Sequence, residues 1–149
     1  MAYIGASSSF GGKRVETIIA DKTLNSKDSG KVFLCSYNVA AASSAGPQTI
    51  VTPSASNSLA GFSCKLILDV TNPGDEAGED IKIGNATDTL TAYLNANATA
   101  TTNSGNYVNF DHTGVKGDMI ELFCDGSEWY AWGSVSYTHL RAHETVLDL

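Results

Sequence analysis

The chain has few of the residues that build disulfide frameworks, long helices or membrane spans. Three cysteines and three prolines occur among its 149 residues. Cys35, Cys64 and Cys124 stand far apart in apolar runs, which argues against a disulfide framework and a zinc site and favours small buried side chains. No apolar run approaches the roughly 20 residues of a membrane helix. The first residues lack the basic and apolar regions of a secretory signal.

Basic residues are also scarce. The chain has 9 lysines and arginines against 16 aspartates and glutamates, for a net charge of −7. Nucleic-acid phosphate repels such a chain, so we expect no nucleic-acid partner. The lack of a long apolar run leads us to expect no membrane partner either. The sequence shows no phosphate-binding loop, no nucleophile elbow and no carboxylate pair of the kind that hydrolyses glycosides. We therefore expect no enzymatic activity and no cofactor.

Serine, threonine, alanine, asparagine and glycine dominate what is present. β-Branched and aromatic residues form short clusters between turn-forming residues, which is typical of strands joined by turns. This composition predicts one all-β domain at residues 13–134, an antiparallel β-sandwich or barrel. The polar, glycine-rich residues 1–12 are expected to form an extended N-terminal arm.

The alternation of apolar residues places most of the strands. Phe62, Cys64, Leu66, Leu68 and Val70 fall on one face of a strand at residues 61–71. The turn-rich residues 72–78 then predict a hairpin with a strand at 80–84. Residues 37–46 are expected to be a loop, and 89–100 are compatible with a short helix that threonines and asparagines disfavour. Further strands are expected at 15–20, 31–36, 48–52, 107–111, 118–124 and 128–134.

The clearest unit is a hairpin around Asp125 and Gly126. An Asp-Gly pair between two aromatic-rich runs favours a tight turn, because Gly126 can adopt the positive φ that such a turn needs. Trp129, Tyr130 and Trp132 carry much of the aromatic area, so we expect this hairpin to anchor the core. Further structural anchors are expected earlier in the chain, at Gly30, Phe33 and Phe62.

The candidate polar residues are expected to have structural or surface roles. Acidic residues surround one turn, but they lack the spacing of a calcium loop and are expected to be solvated. His112, beside Asp111, is expected at the surface or at a strand end, and no metal site is predicted. Exposed tyrosines could line a carbohydrate or capsid contact, although a structural role is the favoured interpretation. The acidic residues are Asp75, Glu76, Glu79 and Asp80; the tyrosines are Tyr3, Tyr37, Tyr93 and Tyr107.

Three segments together resemble a pattern of small bacteriophage virion proteins. They run from Leu24 to Leu34 (LNSKDSGKVFL), from Ala60 to Leu66 (AGFSCKL) and from Lys116 to Tyr130 (KGDMIELFCDGSEWY). The opening AYIGASSSFG resembles the start of marine-phage tail-fibre proteins, which usually have proline where this chain has Ser8. A second departure is Val51-Thr-Pro53, where the pattern usually ends in Leu-Pro.

The resemblance implies a virion structural protein, either a tail-fibre module or a head-decoration protein. Such a protein would act by assembly in the host bacterial cytoplasm and would contact other virion proteins. We expect a homo-oligomer, with a trimer favoured, in which Tyr3, Ile4 and Phe10 of the arm dock on a neighbouring subunit. The alternative is a carbohydrate-binding module that reads host surface glycans, which would need Trp129 or Trp132 exposed in a shallow groove.

Residues 135–149 resemble the translation of a transposase mosaic end followed by a sequencing adapter. VSYTHL corresponds to the mosaic end and RAHET to the adapter. The natural C-terminus is then expected beyond Ser134 and is not given by this sequence. His139, His143 and Glu144 imitate a helical metal site, to which we assign no role. The pattern of the tail is that of a short helix at 140–147, expected to pack poorly.

Overall fold

The computed structural model describes residues 14–36, 48–70, 80–96, 99–135 and 140–141. This part of the chain is mostly β, as predicted, and its helices are two single 3₁₀ turns at Ser26–Asp28 and Asn57–Leu59. Its strands are β1 (Val15–Ile18), β2 (Lys22–Thr23), β3 (Val32–Cys35), β4 (Gln48–Val51), β5 (Phe62–Leu68), β6 (Ile81–Gly84), β7 (Leu90–Ala96), β8 (Thr99–Gly105), β9 (Tyr107–Phe110), β10 (Met119–Cys124), β11 (Trp129–Val135) and β12 (Leu140–Arg141). In these ranges no helix is long and apolar enough to cross a membrane.

The strands form two mixed sheets. The large sheet has seven strands in the order β1-β3-β5-β10-β11-β7-β8, and the small sheet has five in the order β12-β9-β6-β4-β2. The prediction of antiparallel sheets is wrong, because β1–β3, β3–β5, β11–β7, β4–β6 and β2–β4 pair in parallel. Alternation within a strand fixes which face is buried, and it leaves the direction of the neighbouring strand open.

The predicted hairpin between β5 and β6 is also wrong. β5 lies between β3 and β10 in the large sheet, whereas β6 lies between β4 and β9 in the small sheet. Both strands nevertheless bury apolar side chains in the same hydrophobic cluster. Two consecutive strands can bury their apolar faces in one core without being hydrogen-bonded to each other. The turn residues at 72–78 therefore did not determine which strands pair.

The short helix at 89–100 is replaced by two antiparallel strands, β7 and β8. Leu90, Ala92 and Leu94 are buried, whereas the alternate residues Tyr93 and Asn95 are exposed. The burial period is therefore two, the period of a strand, and threonine-rich sequence favours that conformation.

Side chains from both sheets contribute to one hydrophobic core. Cys35, Cys64 and Cys124 are free and buried in it, as the sequence predicted. Burial raises the pKa of the Cys35 and Cys64 thiols to about 12, because the apolar surroundings disfavour the thiolate. The largest fully buried side chains include Phe33, Ile50, Leu66, Ile83, Phe110, Ile120 and Trp129.

Parts of the predicted tail belong to the sheets. Val135 is buried at the end of β11, and Leu140–Arg141 form β12 beside β9. The predicted helix at 140–147 is therefore wrong at its first two residues. The arm at 1–12 with Tyr3, Ile4 and Phe10, the loop at 37–46, and residues 142–149 lie outside the described residues.

Candidate functional site

The turn between β10 and β11 is fixed by one carboxylate. Oδ1 of Asp125 accepts hydrogen bonds from the backbone N–H of Ser127 at 2.7 Å and of Glu128 at 2.9 Å, and from the Ser127 hydroxyl at 2.9 Å. Gly126 has a φ of 103°, as the turn requires. The bonds from Glu128 and Ser127 lower the pKa of Asp125 to about 2. This turn sets the register of the two strands at the centre of the large sheet.

Trp129 packs in the core directly after this turn. Its ring meets Phe62 edge-on, with centroids 5.3 Å apart, and its indole N–H donates to the Pro53 carbonyl at 3.0 Å. Phe33 is also buried. Gly30, just before β3, has a φ of 84° and donates its N–H to the Ser63 carbonyl at 2.7 Å. These positions hold β3, β5 and β11 together.

The other aromatic side chains of the hairpin face away from the core. Tyr130 is half-buried and Trp132 is 41% exposed, so of the three rings expected to anchor the core through this hairpin, Trp129 is the buried one. Trp129 and Trp132 are three residues apart, and an odd spacing puts two side chains on opposite faces of a strand. The sequence contained this signal.

An aromatic patch therefore lies on the outer face of β7, β10 and β11 in the large sheet. We use this name for Tyr93, Phe123, Tyr130 and Trp132. Trp132 lies opposite Tyr93, which is 55% exposed, and Phe123 lies opposite Tyr130. The Phe123 ring is 6.3 Å from those of Tyr130 and Trp132. Apolar rings in this number on a solvent face are a feature of binding surfaces.

Polar side chains border the aromatic patch. Glu121 lies opposite Trp132 on one side and Lys65 on the other. Thr91 lies opposite Tyr130 and donates its hydroxyl to the Glu128 carboxylate at 3.5 Å. The patch thus offers stacking area and hydrogen-bonding groups on one face of the sheet.

A second exposed apolar surface lies at the β1 edge, by which we mean residues 15–19. Val15 and Ile19 are 58% and 68% exposed, and β1 pairs on one side with β3. Within the described residues its other side carries no strand. An edge with exposed apolar side chains is a template for adding a further strand.

Ion pairs hold the β1 edge in place. Glu16 contacts Lys22 at 2.8 Å and Lys31 at 2.7 Å, and Lys31 also contacts the buried Asp28 at 2.7 Å. The hydrogen bonds from Lys22 and Lys31 lower the pKa of Glu16, and those to Asp28 and Glu16 raise the pKa of Lys31. The two ammonium groups lie 5.5 and 5.7 Å from the centroid of the Phe33 ring.

A third feature corrects the interpretation of Asp80. It was expected to be a solvated turn residue, but it is buried and contacts His112 and Asn109. His112 also contacts Asp111, which is buried too. Asp75, Glu76 and Glu79 lie outside the described residues. Sequence reasoning missed this cluster because it depends on the pairing of β6 with β9, which no local pattern specifies.

Two predicted tyrosines remain to be placed. Tyr107, on β9, is half-buried beneath the ammonium group of Lys82, 3.9 Å from its ring centroid, whereas Tyr37 lies outside the described residues.

Comparison with known proteins adds no relationship to this geometry: the chain matches no family model, no curated protein and no solved structure.

Proposed function

We propose that the chain is a structural protein of a bacteriophage virion that acts by assembly and not by catalysis. The sequence resemblance and the mostly β fold support this proposal. In it, the two sheets pack face to face as a sandwich, residues 1–12 extend as an arm, and copies of the chain associate as a trimer. The protein would join other virion proteins in the cytoplasm of the host bacterium.

The exposed β1 edge is the observation that carries the proposal. Val15 and Ile19 present apolar side chains beside an unpaired strand edge in the described part of the chain. A strand added to an edge gains main-chain hydrogen bonds, which need little side-chain chemistry. Residues 1–12 lie directly before this strand in sequence, so an arm would leave the domain beside the surface on which a neighbour's arm would dock.

Sedimentation velocity of the full chain tests the assembly. We expect the unaltered chain to sediment as an oligomer and a Val15→Asp/Ile19→Asp variant to sediment as a monomer with an unchanged circular dichroism spectrum. Val115→Asp is the matched control, because Val115 is also exposed, at 45%, and lies in the loop between β9 and β10 and not on the edge strand. A monomeric unaltered chain, or equal association of all three proteins, would show that the β1 edge does not mediate assembly.

The genes beside this one separate the two virion roles. A neighbouring major capsid gene is expected for a head-decoration protein, and neighbouring baseplate or tail genes are expected for a fibre module. Neighbours that encode no virion component would contradict both.

A carbohydrate-binding function is the second candidate, and the aromatic patch is the observation that favours it. Exposed rings at Trp132 and Tyr93, bordered by Glu121 and Thr91, provide a stacking surface with hydrogen-bonding groups. An array of bacterial surface polysaccharides is the probe. We expect Trp132→Ala and Tyr93→Ala each to weaken binding about tenfold or more with the fold intact, as loss of a central aromatic contact does. Val115→Ala is the control, and unchanged binding in the patch variants would exclude this surface.

The adapter origin proposed for the tail has its own test. Deleting residues 136–149 removes β12, a two-residue edge strand, and leaves Val135 in the core. We expect the melting temperature to change little, because a two-residue edge strand contributes few hydrogen bonds. Loss of cooperative unfolding would show that the tail is a native part of the small sheet.

A further inference from the structure

Two carboxylates face each other at the end of the β6–β9 pair. Ile81 pairs with Phe110 in antiparallel register, so the next residues outward, Asp80 and Asp111, lie opposite each other. Ile81 and Phe110 point into the core, and alternation turns both aspartates to the other face. The aspartates are nevertheless 4% and 3% exposed. This is an unusual position for two acids.

Short contacts hold each carboxylate in a single orientation. Oδ1 of Asp80 accepts from the backbone N–H of His112 at 3.0 Å, and Oδ2 accepts from the Asn109 side-chain amide at 3.0 Å. Oδ1 of Asp111 accepts from the Thr113 N–H at 2.9 Å and from its hydroxyl at 2.7 Å. The carboxylates are therefore placed before any ligand arrives.

The histidine completes a compact set of donor atoms. Nδ1 of His112 is 3.1 Å from Oδ1 of Asp111 and 3.6 Å from Oδ1 of Asp80. One oxygen of each carboxylate and one imidazole nitrogen all lie within 4.8 Å of one another. A metal ion with bonds of about 2.1–2.4 Å keeps opposite ligand atoms at most about 4.8 Å apart, so the three atoms can share one ion. The His112 side chain is 25% exposed, which gives a path from solvent.

The charge of the cluster calls for a cation. Like charges directly opposite each other on paired strands are destabilising, and burial strengthens the repulsion. A divalent ion bound between the two carboxylates would relieve this repulsion.

The side chain of Asn109 gives an independent reason to place a ligand here. Asn109 is 2% exposed, and its Oδ1 accepts no hydrogen bond from any residue in the described ranges. The same carboxamide is directed at the cluster, because its nitrogen donates to Asp80. A buried amide oxygen without a donor is costly. A half-turn about the Cβ–Cγ bond would exchange the hydrogen bond to Asp80 for a bond from that oxygen to an ion held by Asp80.

We propose that Asp80, Asp111, Asn109 and His112 form a binding site for one divalent cation, of which Mn²⁺ has the best-matched chemistry. Carboxylate and amide oxygens suit Mg²⁺, Ca²⁺ and Mn²⁺, and an imidazole nitrogen shifts the preference towards a transition metal. Water would fill the remaining positions. The ion joins the start of β6 to the end of β9, so it stabilises this end of the small sheet. The site is independent of the assembly and of the aromatic patch.

Calorimetric titration of the chelator-treated chain with MnCl₂ tests the site. The measurement uses a His139→Ala/His143→Ala background, because those histidines are four residues apart and could bind metal on their own. We expect one Mn²⁺ per chain and a melting temperature that rises with Mn²⁺ concentration. Asp80→Asn and Asp111→Asn are each expected to weaken binding about 100-fold, and His112→Gln about tenfold, by loss of a ligand.

The control is Asp125→Asn. Asp125 accepts from the N–H and hydroxyl of Ser127 as Asp111 does from Thr113, but it is exposed and away from the cluster. It should bind Mn²⁺ as the background does. Should an aspartate variant fail to fold, His112→Gln, at a partly exposed position, carries the test. Absence of any Mn²⁺ response, binding of Zn²⁺ alone, or undiminished binding in the His112 and aspartate variants would overturn the proposal.

Discussion

The aromatic patch and the Asp80 cluster depart from the ordinary pattern of burial in opposite directions. In the patch, apolar rings of the large sheet face solvent. In the cluster, carboxylates of the small sheet are buried beside an imidazole. The rings contact one another and polar neighbours at their border, whereas the carboxylates accept hydrogen bonds from Asn109, His112 and Thr113. Both arrangements cost free energy in the isolated chain, which is why both are candidate sites.

The two regions also differ in how their side chains are positioned. Rings in the patch are placed by strand parity, by their contacts with Phe123 and by one 3.3 Å hydrogen bond from the Tyr130 hydroxyl to Asp125, so a partner could shift them at lower cost. The carboxylates are fixed by Asn109, His112 and Thr113, so they suit a small ligand with strict geometry. The difference indicates a broad, tolerant surface on one sheet and a narrow, rigid one on the other.

The largest expected effect concerns the two tryptophans of β11. Trp129→Ala removes a buried ring and its hydrogen bond to Pro53, and we expect a loss of about 3–5 kcal/mol in the free energy of unfolding. Trp132→Ala removes an exposed ring, and the loss should be about 1 kcal/mol or less. Denaturant unfolding measures both. Equal losses would mean that the aromatic patch is part of the folding core and not a free surface.

Two turns with the same local bonds allow a matched test of burial. Asp111 and Asp125 each accept from the N–H and hydroxyl of a residue two positions later. Asp111→Ala should cost about 1–3 kcal/mol, because the buried carboxylate and its part-buried bonds from Thr113 are lost. Asp125→Ala should cost less, because water replaces the carboxylate. If the exposed variant is the less stable one in urea, burial is not what distinguishes these turns.

A smaller effect concerns acid. The pKa of Asp125 in the folded chain is about 2, below its ordinary value of 3.8, so folding stabilises its ionised form. This stabilisation is complete above about pH 4 and disappears as the pH falls through 2. The melting temperature of the unaltered chain should exceed that of Asp125→Asn at pH 5, and the gap should close towards pH 2. A gap independent of pH would contradict the charged turn.

The smallest expected effect concerns the cysteines, which should not react with a thiol reagent in the folded chain. Cys35 and Cys64 are buried among apolar groups, and their thiol pKa values of about 12 leave almost no thiolate at pH 8. A disulfide reagent such as 5,5′-dithiobis(2-nitrobenzoic acid) should label them only after denaturation. Labelling of the native chain within minutes would show that the core opens readily.

Local patterns in the sequence predicted the positions of strands and turns better than the pairing between strands. Alternation at Phe62–Leu68 and the turn at Asp125 and Gly126 each depend on neighbouring residues, so both features could be read from the chain. The pairing of β5 with β3 and β10 depends on contacts between distant segments. The same is true of Asp80 and Asp111, whose juxtaposition follows from the register of β6 and β9. The outward position of Trp132 was available from spacing and was overlooked.

The order of strands in the large sheet has a consequence for synthesis of the protein. β10 and β11 join β1-β3-β5 on one side to β7-β8 on the other, yet they follow all of them in the chain. On a ribosome, both halves would emerge with an open edge and wait for residues 119–135 to bridge them. A product terminated before Met119 would leave β5 and β7 unpaired on their inner sides, so it would be a substrate for aggregation or for chaperones.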